Sequence, residues 1–278
     1  MKAAFQKDDA FLADLAAARA GGRARLWWLG QSGFLLYTIR GTVLFDPYLS
    51  DSLTKKYAQT DKPHSRVTER VVAPELLRGI DVITCSHNHT DHLDAETLLP
   101  LLAANPQAKL LIPRANRAFV LERLGPIETT LVEIDAGKTV TVAGMEFHGI
   151  PAAHNTVERD EKGRCHFLGY VARVNGISVY HSGDTLWHEG LVGALAPLRP
   201  DVALVPINGN RPERRVAGNL DGREAATLAH KIGATIAVPH HFDMFEFNTT
   251  PPGEFEACCR ELGQKYRTLR NGEGMDLL

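Results

Sequence analysis

Seven consecutive residues constrain this chain more than any other feature: Ser86-His87-Asn88-His89-Thr90-Asp91-His92. They close an apolar run, Asp81 to Ser86, that reads as a buried strand. If the backbone stays extended, His87 and His89 point to the same side and can share one ion. A turn would then carry Asp91 and His92 to a second position. Packing does not explain four potential ligands crowded at one strand end, so the fold must bring that end to a common site. Further candidates recur in the same context. His154 follows the strand Glu146 to Ala153, Asp184 follows Ile177 to Tyr180, and His241 follows Ala234 to Val238. Singly, each is as ordinary as a hydrogen-bonded histidine or a turn-forming aspartate. Ligand sites in α/β folds gather at the carboxyl ends of strands, and the four strand ends are expected to converge.

The rest of the chain fits such a fold. The first twenty residues read as an amphipathic helix with Phe5, Leu12 and Leu15 on one side, stopped by Gly21 and Gly22. Residues 1–22 are therefore a helix packed on a single domain, 23–278. Leu26 to Leu29, Phe34 to Ile39 and Thr42 to Phe45 are short strands, with a bend at Arg40-Gly41. Leu49 to Val72 is polar and unpatterned, a candidate lid. Alternation follows: a short helix at Pro74 to Gly79, a helix capped by Asp94 and running to Ala104, a strand at Leu110 to Ile112, and a helix at Arg117 to Leu124. Two or three strands lie in Leu131 to Ile150, and Asn175-Gly176 marks a hairpin between Phe167–Val174 and Ile177–Tyr180. Val202 to Ile207 is an apolar strand. Asp221 and Glu224 form a capping box for a helix to Ile232, and a last helix runs from about Pro252 to Leu262. This order suggests an α/β chain in two similar halves, sheet packed on sheet with helices outside.

Composition removes several classes. At 44% hydrophobic, a chain of 278 residues has enough apolar surface for a core. The 31 basic and 33 acidic residues leave a net charge of −2, which gives no reason to expect nucleic acid. No run of eighteen apolar residues suggests a membrane span. Asp8, Asp9 and Asp14 interrupt what a signal peptide would keep apolar. Cys85, Cys165 and the adjacent Cys258 and Cys259 make no disulfide framework, so a reducing, cytoplasmic location is expected. Self-association as a homo-oligomer is left open.

The motif His87-x-His89-x-Asp91-His92, followed by Pro151-Ala-Ala-His154, Ser182-Gly-Asp184-Thr185 and Pro239-His-His241, resembles the metallo-β-lactamase-fold hydrolase superfamily. That resemblance implies a four-layer αββα sandwich. Leu26 to Gly33, Asp46-Pro-Tyr-Leu-Ser-Asp51, Tyr180 to Asp184, Leu204 to Gly209 and His240 to Phe245 are similar to its L-ascorbate-6-phosphate lactonase-like branch. The chain departs from that branch at Asn88, where the branch carries aspartate, and by having His154. By the family pattern, His87, His89 and His154 hold one ion. Asp91, His92 and His241 hold a second, and Asp184 bridges both. The Pro-x-His pattern selects His241 over His240, with His148 a reserve for His154. His181 sits beside the bridging aspartate. His64, His166, His188 and His230 are left as structural or surface residues, and Asp46 as support for the site.

Five imidazoles and two carboxylates suit borderline divalent ions, zinc or manganese, with iron a further option. Two such ions, two carboxylates and a bridging hydroxide sum to one positive charge. Such a site brings the pKa of water from 15.7 toward about 7 and favours anionic substrates. Asp91 is then the catalytic carboxylate that orients the nucleophile and takes its proton. Asn208, Arg211, Arg214 and Arg215 follow a buried strand and are the candidate binders of the anion. The reading is a dinuclear hydrolase of a small anionic lactone or ester. Its alternatives are a phosphodiesterase or nuclease on the same fold, an iron-dependent oxidoreductase, or a non-catalytic metal-binding protein. Flavo-diiron proteins would have glutamate where His89 stands, and no flavodoxin-like stretch follows.

Overall fold

Strands bounded by glycine turns build a first sheet. In the computed structural model, which describes residues 1–127 and 130–277, β1 (Arg25–Gly30), β2 (Gly33–Thr38) and β3 (Gly41–Phe45) form an antiparallel meander. β4 (Val82–Thr84), β5 (Lys109–Pro113) and β6 (Leu131–Ile134) continue from β3 in parallel. The second sheet repeats this scheme. β7 (Thr139–Val142), β8 (Met145–Pro151), β9 (Leu168–Val174) and β10 (Ile177–His181) are antiparallel, and β11 (Val202–Pro206) and β12 (Ile236–His240) then add in parallel. β13 (Gly274–Asp276) returns to pair with β1 and completes a seven-stranded first sheet against a six-stranded second one. The sequence reading missed β13, which is short and lacks an apolar alternation.

The helices cover the outer faces. α1 (Asp8–Gly21) buries Phe11, Leu15 and Ala18, spaced as one helical stripe. It starts later than the sequence reading has it. Phe5 lies before the helix, is 47% exposed and packs under the Arg270 guanidinium. α3 (Ala95–Ala104) and α4 (Arg117–Leu124) join α1 over the first sheet. α5 (Leu191–Leu195), α6 (Gly222–Lys231) and α7 (Gly253–Leu262) belong to the second. The stretch read as an unpatterned loop contains a helix, α2 (Ser52–Tyr57), and the helix expected at Pro74–Gly79 is one 3-10 turn, Pro74–Leu76. The four layers are those of the metallo-β-lactamase sandwich. Among the described residues, no helix is long and apolar enough to cross a membrane.

Strand alternation sorts the core. Leu26, Trp28, Phe34, Leu36, Val43 and Phe45 pack with Phe147, Tyr170 and Leu204 between the sheets. Their neighbours Trp27, Leu29, Leu35 and Leu44 pack outward against α1, α3 and α4. Both faces of these strands are covered, which is why they read as unbroken apolar runs. Trp28 stacks on Phe242 at 4.5 Å, and Trp27 donates Nε1–H to Asp14 at 2.8 Å.

Two helix starts carry side-chain hydrogen bonds. The Asp94 carboxylate accepts from the Thr97 hydroxyl at 2.6 Å rather than from a backbone N–H. At α6 the capping box forms in full: Glu224 N–H donates to Asp221 Oδ1 at 2.8 Å, and Asp221 N–H donates to Glu224 Oε2 at 3.1 Å. Replacing Asp221 by Ala is expected to cost about 1 kcal/mol of stability. Urea unfolding of the two proteins measures it.

Candidate metal centre

β4 ends at Thr84, and the chain bends at once through residues 86–92. His92 N–H and Leu93 N–H both donate to the His89 carbonyl, at 3.1 and 2.8 Å. Residues 86–89 bend rather than stay extended, yet His87 and His89 still share one group, and the turn after His89 carries Asp91 and His92 to another as expected. The rings of His87 and His89 are 4.7 Å apart, and His154 lies 5.3 and 4.9 Å from them.

Two groups of donor atoms hold the expected residues, His87 with His89 and His154, and Asp91 with His92, Asp184 and His241; a third overlaps them, Asp46 with His87 and His92. Within each group the atoms lie within 4.8 Å of one another. Asp184 touches the first two. Its Oδ2 is 3.4 Å from His154 Nε2 and 3.4 Å from His241 Nε2, and its Oδ1 is 3.4 Å from His92 Nε2. This is the expected division of the seven residues, with Asp184 between the groups.

Hydrogen bonds fix which nitrogen each ring presents. His92 Nδ1–H donates to Asp46 Oδ2 at 2.6 Å, and His154 Nδ1–H donates to the Gly218 carbonyl at 2.8 Å. His87 Nδ1 meets the Ser86 hydroxyl at 3.0 Å. That hydroxyl already donates to Asp46, so it accepts from His87. All three rings are left with Nε2 lone pairs turned inward. His87 Nε2, His92 Nε2 and Asp184 Oδ1 are buried without a hydrogen-bond partner. Buried polar atoms are normally satisfied, and this convergent set fits divalent ions. His148, the reserve candidate, bonds the Thr139 hydroxyl instead and belongs to neither group.

The electrostatics separate the histidines. Burial and the neighbouring imidazoles hold His87 well below its ordinary value, and desolvation with the nearby His154 lowers His89 to about 4. Burial alone would also lower His92 and His241. Asp184 and Asp91 override it, raising His92 well above 6.5 and His241 above it. Burial would raise Asp184, but His241 and His92 keep it well below the usual carboxylate range.

Gln31 is a support that the sequence reading does not find. Gln31 donates Nε2–H to Asp91 Oδ2 at 2.9 Å and lies 3.0 Å from His241 Nε2. Its turn between β1 and β2 was the available signal. His181 is buried, bridging the Ser32 carbonyl at 2.7 Å and the Gly183 N–H at 3.1 Å. It stacks between Phe45 and His240. Gln31, Asp46 and His241 all have left-handed backbones, with φ of 48°, 38° and 62°. Such φ values are uncommon outside glycine and cluster at functional sites. Gly183 has φ 59°, and a Cβ there would lie 2.6 Å from Ser86 Cβ, so only glycine lets the turn present Asp184.

The centre opens into a cavity of about 510 Å³, whose lining includes Gln31, Lys56, Lys62, His64 and Arg123. The expected anion binders are elsewhere. Asn208 is buried between Asn248 and Asn219, and Arg214 is spent on Asn208 O, Asn248, Thr249 O and Thr250. Arg215 pairs with Asp61, Arg211 is exposed, and none of the four lines the cavity. Their hydrogen bonds tie down the loop after β11. The 49–72 segment contributes Leu53, Lys56, Tyr57, Lys62 and His64 as a wall of the cavity.

Fold and centre together define a class, and the sequence profile of the beta-lactamase superfamily domain matches residues 41–242. The chain belongs to that superfamily. A Methanoculleus marisnigri protein named UPF0173 metal-dependent hydrolase is 30% identical over 226 residues, covering 80% of this chain and 82% of that relative. A metallo hydrolase from Ignicoccus hospitalis shares the fold at TM-score 0.66 and 20% identity, over 92% of this chain and 98% of that one. An isothiocyanate hydrolase from Delia radicum gut bacteria shares it at TM-score 0.71 and 18% identity, over 91% and 99%.

Asp184→Ala should lower the metal content of purified protein, whereas His148→Ala should leave it unchanged; elemental analysis decides. Protons on His92 and His241 compete with ions, so metal uptake should release protons and strengthen as pH rises. Calorimetry in buffers of different ionisation enthalpy reads that release.

Proposed function

We propose that this protein is a dinuclear metal-dependent hydrolase of a small anionic lactone or ester. The observation that carries the proposal is the pair of donor groups sharing Asp184, with inward Nε2 atoms left unpartnered. Relatives named metal-dependent hydrolases support it. Imidazole and carboxylate donors without a thiolate suit zinc or manganese. Ions there would polarise a carbonyl and give water a pKa near neutrality, supplying the nucleophile.

The chain's own groups orient that chemistry. Gln31 fixes the Asp91 carboxylate through Oδ2. Asp91 directs the attacking water and takes its proton. Asp46 holds the His92 ring through Nδ1, so that ring cannot turn its lone pair away. Arg123 donates Nη1–H to the carbonyls of Asn88 and Leu93, at 2.8 and 2.9 Å, clamping the loop that carries four of the ligands.

Chelation should abolish hydrolysis across a panel of carboxylated lactones and esters, and zinc or manganese should restore it. Asp91→Asn should lower kcat by about 10²–10⁴-fold, the usual worth of a positioned base. Metal-replete protein that turns over none of the panel would overturn the proposal. Turnover of phosphodiesters alone would move the reaction to the phosphodiesterase alternative.

A further inference from the structure

The cavity beside the metal centre carries positive charge that the protein does not neutralise. Lys56, Lys62 and Arg123 line it, and among the described residues none of them forms an ion pair within 4.0 Å of a carboxylate. Lys55, the neighbour of Lys56 on α2, behaves differently. It pairs with Glu96 at 2.8 Å and lies outside the cavity lining. The Lys56 ammonium lies 3.5 Å from the Thr90 hydroxyl, next to Asp91 in the chain. Lys62 donates to the Arg215 carbonyl, and Arg123 uses Nη1 on two carbonyls. The other carboxylate and imidazole groups in the lining are Asp91, Asp184, His64, His89, His154 and His241. Unpaired cations in a concave wall favour a bound anion.

A second cavity, of about 320 Å³, continues on the far side of His89 and His154. It shares Asn88, His89, His154 and Ala217 with the first, and adds Asn155, Glu158, His166 and Phe167. Its one acidic group is Glu158, and it has no lysine or arginine. Lysine and arginine are thus confined to the first of the two cavities.

We propose that Lys56, Lys62 and Arg123 form an anion-binding subsite that seats a carboxylate or phosphate group of the substrate, with the scissile bond over His89 and His154 and an uncharged arm in the second cavity. This assigns the anion to the α2 segment and α4, not to the arginines after β11. It deepens the hydrolase reading and rests on it for the placement of the scissile bond. The anion subsite itself can be tested without turnover.

Metal-replete protein is titrated calorimetrically with inorganic phosphate and, separately, with acetate. Lys56→Gln/Lys62→Gln should weaken binding of at least one anion by roughly 10- to 100-fold, the loss expected for charge-assisted hydrogen bonds. The anion more affected names the group the subsite prefers. Lys55→Gln should bind as wild type does, and all variants should keep their metal content. Lys56→Gln alone, which leaves the Lys62–Arg215 contact intact, should show part of the loss. Equal binding in wild type and the double variant would overturn the proposal, as would an equal loss in Lys55→Gln.

The kinetic arm compares 4-nitrophenyl acetate with the 4-nitrophenyl monoester of glutarate. The double variant should raise KM only for the glutarate ester, with kcat held. An equal KM change for both esters would overturn the anion assignment while leaving hydrolysis standing. Wild type inactive on both esters would count against the hydrolase reading, and the phosphate and acetate titrations would still decide the subsite.

Discussion

The buried carboxylate of Asp46 is the interaction on which the centre depends. It has no exposed surface, and its oxygens accept from His92 Nδ1, the Ser86 backbone and hydroxyl, and the Thr84 hydroxyl. A buried charge persists only when it is paired and its lone pairs are filled. Here the filling groups are the end of β4 and the first residues of the ligand loop. One carboxylate, leaving β3 in a left-handed turn, thus sets the bend after Thr84 and the orientation of His92. His87 follows through the shared Ser86 hydroxyl. Removing the charge would free all of these at once, so its effects should not add to those of its partners.

Around it, the candidate metal donors come from two places. His87, His89, Asp91 and His92 hang from the first sheet, while His154, Asp184 and His241 follow β8, β10 and β12 of the second. Cross-braces keep the halves in register. The His241 N–H donates to the Gln31 carbonyl, and His181 Nε2–H donates to the Ser32 carbonyl; within the first half, Gln31 also donates to Asp91. The donors thus sit at strand ends, and the 49–72 segment walls the cavity beside them.

How much of this the sequence discloses follows from the range of each interaction. The first four candidate donors lie within six residues, and the others each follow a recognisable apolar strand, so local pattern and order single them out, while the choice of His241 over His240 rests on the family resemblance. The capping box at Asp221 is similarly local. Gln31 has no such signature, because its role depends on Asp91 sixty positions away. Arg214 looked free to bind an anion, since nothing near it in the chain announces that Asn208, Asn248 and Thr249 consume its donors. Phe5 was placed on the helix stripe by spacing, but the helix begins only at Asp8. β13 is three residues long, and its place is decided by the open edge of β1.

The split of the ligands between two sheets has a consequence for the life of the protein. Ions held there would rivet one half of the sandwich to the other, and binding confined to the native state adds RT ln(1 + [L]/Kd) to its stability. Without ions, the carboxylates at the seam are offset by protons on His92 and His241. Resistance to proteolysis, and hence the amount of protein a cell retains, would then follow the supply of divalent ions as well as the rate of synthesis.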